Sequence, residues 1–238
     1  MAIIRRRGSS SNAILVLESP WGLDENDNNR SSVVPFMQGI AKFTGDTEVF
    51  HANFYDKKSF DFALDCITRE GFKNTIIYVA AHGYKNKIGN VNVDHILAEV
   101  SSISKKQNIT GLLFGSCFIG KKTIEMEVYI QESGLRWCMG YASSCNWLEG
   151  TMIDAAIIAA MISLDNVDFE SRDEINSSFA NAIAPFAENF IIGDDYSEKP
   201  ISIRDSLKFV CQPEGKGYRA KEVTDEVFEI AKELRFDN

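Results

Sequence analysis

Four runs of consecutive apolar or β-branched residues, each of strand length, alternate along the chain with stretches of helical pattern. The runs are residues 13–17 (AILVL), 74–81 (NTIIYVAA), 109–114 (ITGLLF) and 135–141 (LRWCMGY). Continuous rather than alternating apolarity is typical of strands that are covered on both faces. Because helical segments separate these strands, the order predicts βαβ units and an α/β fold with a mainly parallel central sheet.

Further patterns extend this prediction to about six strands in a three-layer α/β/α fold. Two more strands are predicted at 47–54 and 207–212, the second at an edge. Helices are predicted at 33–43, 59–69 with Ser59 as N-cap, 91–103 with Asn92 as N-cap, 123–133, 151–164, 172–190 with a kink or break at Pro185, and 223–234.

The domain prediction is one folded unit behind a short tail. Residues 1–11 are basic and then rich in serine, which predicts a disordered tail. Residues 12–238 are predicted to form a single domain, with a core at 12–165 and a helical extension with an edge strand at 166–238. The long polar loop at 18–32 is a candidate gate, because long loops at strand ends are often functional.

Charge and cysteine usage limit the classes of function. A net charge of −9 argues against a nucleic-acid partner, and no apolar run has the ~20 residues of a membrane span. The N-terminus has no secretory signal pattern, and the five cysteines are widely spread without a Cys-x-x-Cys pair. These features predict a cytoplasmic protein without disulfides, in which a free reactive thiol is chemically possible.

Two successive predicted strands end in residues that suit nucleophilic catalysis. One ends in His82-Gly83, the other in Gly115-Ser116-Cys117. Active sites of parallel sheets lie beyond the carboxyl ends of the strands, so we expect a Cys117 nucleophile with a His82 acid/base partner there. The N–H groups of Gly83 and Cys117 are candidate oxyanion donors.

The surroundings of Cys117 in the sequence predict an activated thiolate. A helix is expected to begin just after Cys117, and Lys121 and Lys122 are close in sequence; both features favour the thiolate. His51 and His95 lie inside a predicted strand and a predicted helix, with no neighbouring ligands. Neither a metal site nor a cofactor is therefore predicted.

The order of histidine and cysteine distinguishes between classes of thiol enzyme. Every histidine precedes Cys117, whereas α/β-hydrolase-like and papain-like enzymes have theirs downstream. The segments IIYVAAHG (76–83) and LLFGSC (112–117) resemble the caspase-like cysteine peptidases, a group with caspases, gingipains, legumains, separases and bacterial CHAT-type proteases. The resemblance covers about residues 13–164, and among these peptidases it is to the bacterial type. It implies a caspase-like fold and an endopeptidase that forms an acyl-enzyme on Cys117.

The same resemblance suggests a substrate cleft. Segment 139–154 resembles the loop and helix after the nucleophile strand in bacterial relatives, which places Ala142, Ser143 and Trp147 along the cleft. Gly115 and Ser116 replace the Gln-Ala of the caspase signature, and the loop carries no arginine, so cleavage after aspartate is not expected. Glu18 and Asp154 are instead candidates for an acidic pocket that takes lysine or arginine.

Relatives of this type often act as regulated effectors in bacterial antiphage defence, which implies a peptide or protein substrate and an activating ligand or upstream partner. Two alternatives stay open at this stage. One is a catalytically inactive caspase-like binding module. The other is a flavodoxin-like nucleotide-binding module, although Glu18-Ser19-Pro20-Trp21 after the first strand suits phosphate poorly.

Overall fold

The computed structural model describes residues 10–20, 32–69 and 71–236. Its strands are β1 (Asn12–Glu18), β2 (Thr47–Asn53), β3 (Asn74–Ala80), β4 (Gly83–Tyr84), β5 (Lys87–Ile88), β6 (Val91–Asn92), β7 (Ile109–Gly115), β8 (Trp137–Tyr141), β9 (Ile191–Asp194), β10 (Pro200–Ser202), β11 (Leu207–Cys211) and β12 (Lys221–Glu222). Its α-helices are α1 (Val34–Thr44), α2 (Lys57–Ile67), α3 (Val93–Gln107), α4 (Thr123–Ile130), α5 (Trp147–Met161), α6 (Arg172–Ile183), α7 (Ile203–Ser206) and α8 (Thr224–Phe236).

A seven-stranded sheet in the order β12-β11-β8-β7-β3-β1-β2 forms the centre of the protein. The five strands from β8 to β2 are parallel, and β11 and β12 run antiparallel to their neighbours. Because the parallel strands share one direction, the residues that follow β3, β7 and β8 all emerge at the same edge of the sheet.

Two hydrophobic cores cover the two faces of this sheet. One core packs α1, α5, α6 and α8 against one face, and the other packs α2, α3 and α4 against the opposite face. The residues of β3 are all buried, as its continuous apolar sequence predicts. The three-layer α/β/α fold with a mainly parallel sheet is therefore confirmed.

The strand count differs slightly from the prediction. The sheet has seven strands instead of about six, because β12 adds a strand of only two residues. Such a short strand carries no recognisable period in the sequence. The strand predicted at 207–212 exists as β11, but it is not the edge of the sheet because β12 pairs beside it.

Several predicted helix boundaries differ from those in the structure. Helix α2 is capped by Asp56, with Ser59 at the third helical position of a capping box, so Ser59 is not the N-cap. Helix α5 begins at Trp147, four residues before the predicted start. Helix α6 ends at Ile183, so the predicted break at Pro185 is confirmed, whereas the predicted continuation of the helix to residue 190 is wrong.

Two small β structures were not predicted, and both lie near the strand ends. Strands β4, β5 and β6 form a three-stranded sheet directly after His82. Strands β9 and β10 form an antiparallel hairpin between α6 and β11. Their strands are only two to four residues long, which is too short for a periodic signal.

Parts of two sequence predictions lie outside the described residues. These are positions 1–9 of the predicted tail and positions 21–31 of the candidate gate. Within the predicted tail, the last residue, Ser11, is described, and its backbone is hydrogen-bonded to Asp46 and Lys73. Within the described residues, no helix combines the length and the apolarity that a membrane crossing requires.

Candidate active site

The backbone brings His82-Gly83 and Cys117 together at one edge of the sheet. Ala80 on β3 lies opposite Gly115 on β7, and His82 and Cys117 each follow two residues later. A Cβ atom placed on Gly83 would lie 2.0 Å from the carbonyl oxygen of Cys117. The two segments are therefore in direct backbone contact, and only glycine allows an approach this close.

Three backbone amides oppose the effect of burial on the partly buried Cys117 thiol. The backbone N–H groups of Cys145, Cys117 and Gly83 act to lower the pKa of this thiol. Two of these three are the amides that the sequence suggested as oxyanion donors. Backbone N–H donors near the sulfur stabilise a negative charge on it. Such donors also stabilise the oxyanion that forms when the sulfur attacks a carbonyl carbon.

Burial nevertheless raises the pKa of the Cys117 thiol above the usual value of 9.0, and the three amides oppose this increase only in part. The expected help from a helix and from lysines is missing. Phe118 has a φ of 65°, and a short 3-10 helix begins only at Ile119. Lys122 binds Glu125, and the Lys121 ammonium lies over the ring of Tyr196. The prediction of a thiolate favoured by these features is wrong for this state of the protein.

We expect the alkylation of Cys117 to depend on pH accordingly. Because the thiol is protonated at neutral pH, its rate with iodoacetamide should rise about tenfold per pH unit from pH 7 to pH 9 without reaching a plateau. Peptide mass spectrometry measures this rate, and the Cys117→Ala protein identifies the signal. A plateau below pH 8 would mean that the thiolate is already stabilised in the resting protein.

A small, partly open pocket adjoins Cys117. Its volume is about 20 Å³, which is room for about one water molecule. Residues from the ends of β3, β7 and β8 and from the start of α5 line it: Val33, Tyr78, Ala80, Gly115, Cys117, Tyr141, Cys145, Asn146, Trp147, Gly150, Thr151 and Asp154.

A buried carboxyl group is part of the wall of this pocket. Asp154 on α5 accepts hydrogen bonds from the hydroxyls of Tyr78 and Tyr141, both at 2.6 Å. Burial raises the pKa of Asp154 to about 7, against the lowering effect of the two tyrosine donors. A Cβ at Gly115 would lie 2.8 Å from the Asp154 carboxylate, so the glycine before Ser116-Cys117 makes room for this acid.

Of the other residues predicted to bind substrate, some line the pocket and some do not. Gly115, Trp147 and Asp154 line the pocket together with Cys117. Ser116 is buried, and its hydroxyl has no hydrogen-bond partner in the described part of the chain. The Ala142 amide donates to Ser206, and the Ser143 hydroxyl contacts the Ser206 hydroxyl at 2.7 Å.

The Glu18 carboxylate contacts the start of α1 and the side chain of His51. Its carboxylate accepts hydrogen bonds from the Val33 amide at 2.7 Å and from the Ser32 hydroxyl at 3.0 Å, at the start of α1. It also pairs with His51 at 2.8 Å. These contacts already occupy both carboxylate oxygens in this state of the protein.

Sequence reasoning did not identify Tyr78, Tyr141 and Cys145 as pocket residues. Tyr78 lies inside an apolar strand, and its only local signal is that residues 78 and 80 point to the same face. Tyr141 ends β8, and its neighbours in the sequence give no signal of its role. Both tyrosines donate hydrogen bonds to Asp154, which is 76 residues from Tyr78 and 13 residues from Tyr141 in the sequence.

One polar cluster lies away from this edge. Asp61, His95 and Glu99 place their ligand atoms within 4.8 Å of one another. The sequence pattern contained no such group, because Asp61 and His95 are on different helices. The three side chains already partner each other, and Asp61 also binds Lys57 at 3.0 Å. We therefore assign no metal to this cluster.

Comparisons with known proteins add information about the fold. No family model and no curated protein matches the sequence. A secreted C11 cysteine protease from Bacteroides thetaiotaomicron, iotapain, is 10% identical; the match covers 84% of this chain and 66% of that one, with a TM-score of 0.48. The Drosophila initiator caspase Dronc is also 10% identical, with 84% and 79% covered and a TM-score of 0.46. The chain thus spans just under two thirds of iotapain. Both likenesses concern the fold, whereas the site described above is defined by the geometry of this chain.

Proposed function

We propose that this chain is a caspase-like cysteine endopeptidase with Cys117 as nucleophile and His82 as general acid and base. The strongest support is the direct backbone contact between Cys117 and the segment that carries His82, at the carboxyl ends of β3 and β7. The resemblance of 76–83 and 112–117 to caspase-like peptidases agrees with this proposal.

The proposed reaction begins with transfer of the Cys117 proton to His82 as the peptide binds. The sulfur attacks the carbonyl carbon of the scissile bond, and the carbonyl oxygen becomes an oxyanion held by the N–H groups of Gly83 and Cys117. When the intermediate collapses, the C–N bond breaks and the His82 imidazolium protonates the departing amine. A water molecule then gives a proton to His82, attacks the thioester and releases the carboxylate, which restores Cys117.

The raised pKa of Cys117 is compatible with this sequence of steps. A protonated thiol is activated when a neighbouring base accepts its proton at the moment of attack, as in serine–histidine pairs. The resting enzyme therefore need not store a thiolate. Burial of the thiol also protects it from oxidation and alkylation between turnovers.

We further propose a peptide or protein substrate with lysine or arginine before the scissile bond. Asp154 is the acidic group in the pocket that contains Cys117, and an ammonium or guanidinium group beside it would lower its pKa and keep it ionised. Glu18, whose oxygens cap α1 and bind His51, is the less suitable partner. The pocket must widen before it can take such a side chain.

The proposed setting is the bacterial cytoplasm, where the protein would act as a regulated effector in antiphage defence. The five cysteines are all unpaired, which suits a reducing compartment. The defence role comes from the resemblance alone. An activating ligand or an upstream partner would be required to start cleavage.

Replacing His82 by glutamine tests the proposed mechanism. We expect kcat for a peptide substrate to fall by about 10² to 10⁴, because the leaving amine loses its proton donor. The substrate is found by incubating the wild-type protein, or a variant with a more accessible site, with a mixed peptide library read by mass spectrometry. The pH profile of kcat should lose the limb that belongs to the imidazole.

His95→Gln is the matched control, since its ring contacts Asp61 and Glu99 between α2 and α3. This variant should keep its turnover even if its stability decreases. An unchanged kcat in His82→Gln would remove His82 from the mechanism. A binding module without catalysis would cleave no peptide in any variant.

A further inference from the structure

The β9–β10 hairpin lies along the segment that leads from β8 past the nucleophile to α5. The Ser144 amide donates to the carbonyl oxygen of Asp194, and the Asn146 amide donates to that of Ile192, both at 2.8 Å. The Asp194 amide donates to the Ser144 hydroxyl at 2.7 Å. Hydrogen bonds at alternate residues are typical of paired antiparallel strands. Strand β9 therefore lies beside segment 144–146 as a neighbouring antiparallel strand would.

A glycine permits this close pairing. A Cβ atom at Gly193 would lie 2.2 Å from the carbonyl oxygen of Ser144, which is a backbone atom that has little freedom to move away. Any larger residue at position 193 would therefore push the hairpin away from segment 144–146.

The tip of the hairpin contacts the residue after the nucleophile. Tyr196 stacks on Phe118, with ring centroids 4.0 Å apart and an interplanar angle of 10°. The Lys121 ammonium lies 4.4 Å from the centre of the Tyr196 ring. Phe118 has a φ of 65°, an unfavourable conformation for a bulky residue, which persists only where its surroundings hold it.

These contacts use main-chain groups of the segment that lines the Cys117 pocket. An extended peptide at Cys117 needs main-chain partners, and the amides of segment 144–146 lie beside the thiol because Cys145 and Asn146 line its pocket. Both of the outer amides, Ser144 and Asn146, are already paired with β9. The pocket itself holds no more than about one water molecule.

We infer that the β9–β10 hairpin closes the candidate active site and that the protein rests in a self-occluded state. The hairpin must lift from segment 144–146, with loss of the Tyr196–Phe118 stack, before a peptide reaches Cys117. This inference rests on the proposed peptidase function, and it names the regulation of the same site. An activator would be a molecule that binds the lifted hairpin better than the closed one.

Two variants should open the hairpin by different routes. Gly193→Ala inserts a Cβ against the Ser144 carbonyl, and Tyr196→Ala removes the stacked ring at an exposed turn. Gly39→Ala is the control for the first variant, because a Cβ at Gly39 would meet no atom within 4 Å. Tyr218→Ala, at another exposed tyrosine, is the control for the second.

The measurement is the rate of Cys117 alkylation by iodoacetamide at one pH, with the exposed Cys66 as internal reference, together with cleavage of the peptide library. We expect both hairpin variants to alkylate Cys117 about tenfold faster than the wild type, as the loss of an aromatic pair shifts an opening equilibrium by about that factor. Both controls should match the wild type. Cleavage should rise in parallel.

The outcomes separate this inference from the proposed function. Unchanged alkylation in both folded hairpin variants overturns the closure. Faster alkylation without cleavage of any peptide supports the closure and contradicts the peptidase function. Wild-type cleavage as fast as that of both hairpin variants supports the peptidase and overturns the closure. If Gly193→Ala fails to fold, Tyr196→Ala decides the question.

Discussion

Replacing Cys117 by alanine should lower the rate of peptide cleavage by about 10⁴-fold or more, because the acyl-enzyme can no longer form. The oxyanion donors alone supply only a small residual rate. The measurement compares initial rates on a peptide identified from the library, with the wild type or Gly193→Ala as the parent, whichever is faster. The free energy of unfolding should change by no more than about 1 kcal/mol, since only one sulfur atom is lost from a partly buried position.

Cys66→Ala is the matched control for this loss. Cys66 is exposed on α2, on the opposite face of the sheet from the pocket helix α5, so its replacement should leave the rate unchanged. Cleavage by the Cys117→Ala protein at the parent rate would exclude Cys117 as nucleophile. Cleavage that disappears only with Cys145→Ala would transfer the role to the other thiol that lines the pocket.

Replacing Asp154 by asparagine should remove a large part of the pH dependence of stability. The pKa of Asp154 is raised from 3.8 to about 7 by burial, so the folded protein holds this proton more tightly than the unfolded chain does. The stabilisation is complete below about pH 4 and is lost as the pH rises through about 7. A shift of this size corresponds to about 4 kcal/mol.

The experiment measures the free energy of unfolding in urea at pH 4.5 and at pH 8 for both proteins. The wild type should lose several kcal/mol more between these two pH values than Asp154→Asn does, because asparagine does not titrate. Asp65→Asn, at an exposed aspartate on α2, should behave as the wild type. Equal losses in the wild type and in Asp154→Asn would mean that the buried carboxyl is ionised throughout this range.

The same substitution also tests the proposed preference for basic residues. If Asp154 binds the lysine or arginine before the scissile bond, Asp154→Asn should lose cleavage at those sites more than at others. An unchanged cleavage pattern would assign Asp154 a structural role between Tyr78 and Tyr141.

The sequence already determined the position of the candidate site within the fold. The buried strands β1, β3, β7 and β8 follow from continuous apolar runs, and their parallel order follows from the helices between them. The residues after β3 and β7 therefore had to meet at one edge of the sheet. The strand order by itself therefore brings His82-Gly83 to the same edge of the sheet as Cys117.

Only the tertiary structure decided the state of that site. The pKa of Cys117, the pairing of Asp154 with Tyr78 and Tyr141, and the use of Glu18 to cap α1 all depend on neighbours that are distant in sequence. The β9–β10 hairpin that covers segment 144–146 has strands of four and three residues, too short for a local pattern. Local sequence determines which strands form and where they end, because period and propensity are local properties. Burial, charge compensation and the closing of a cleft are properties of packed neighbours, and the chain specifies them only when it is folded.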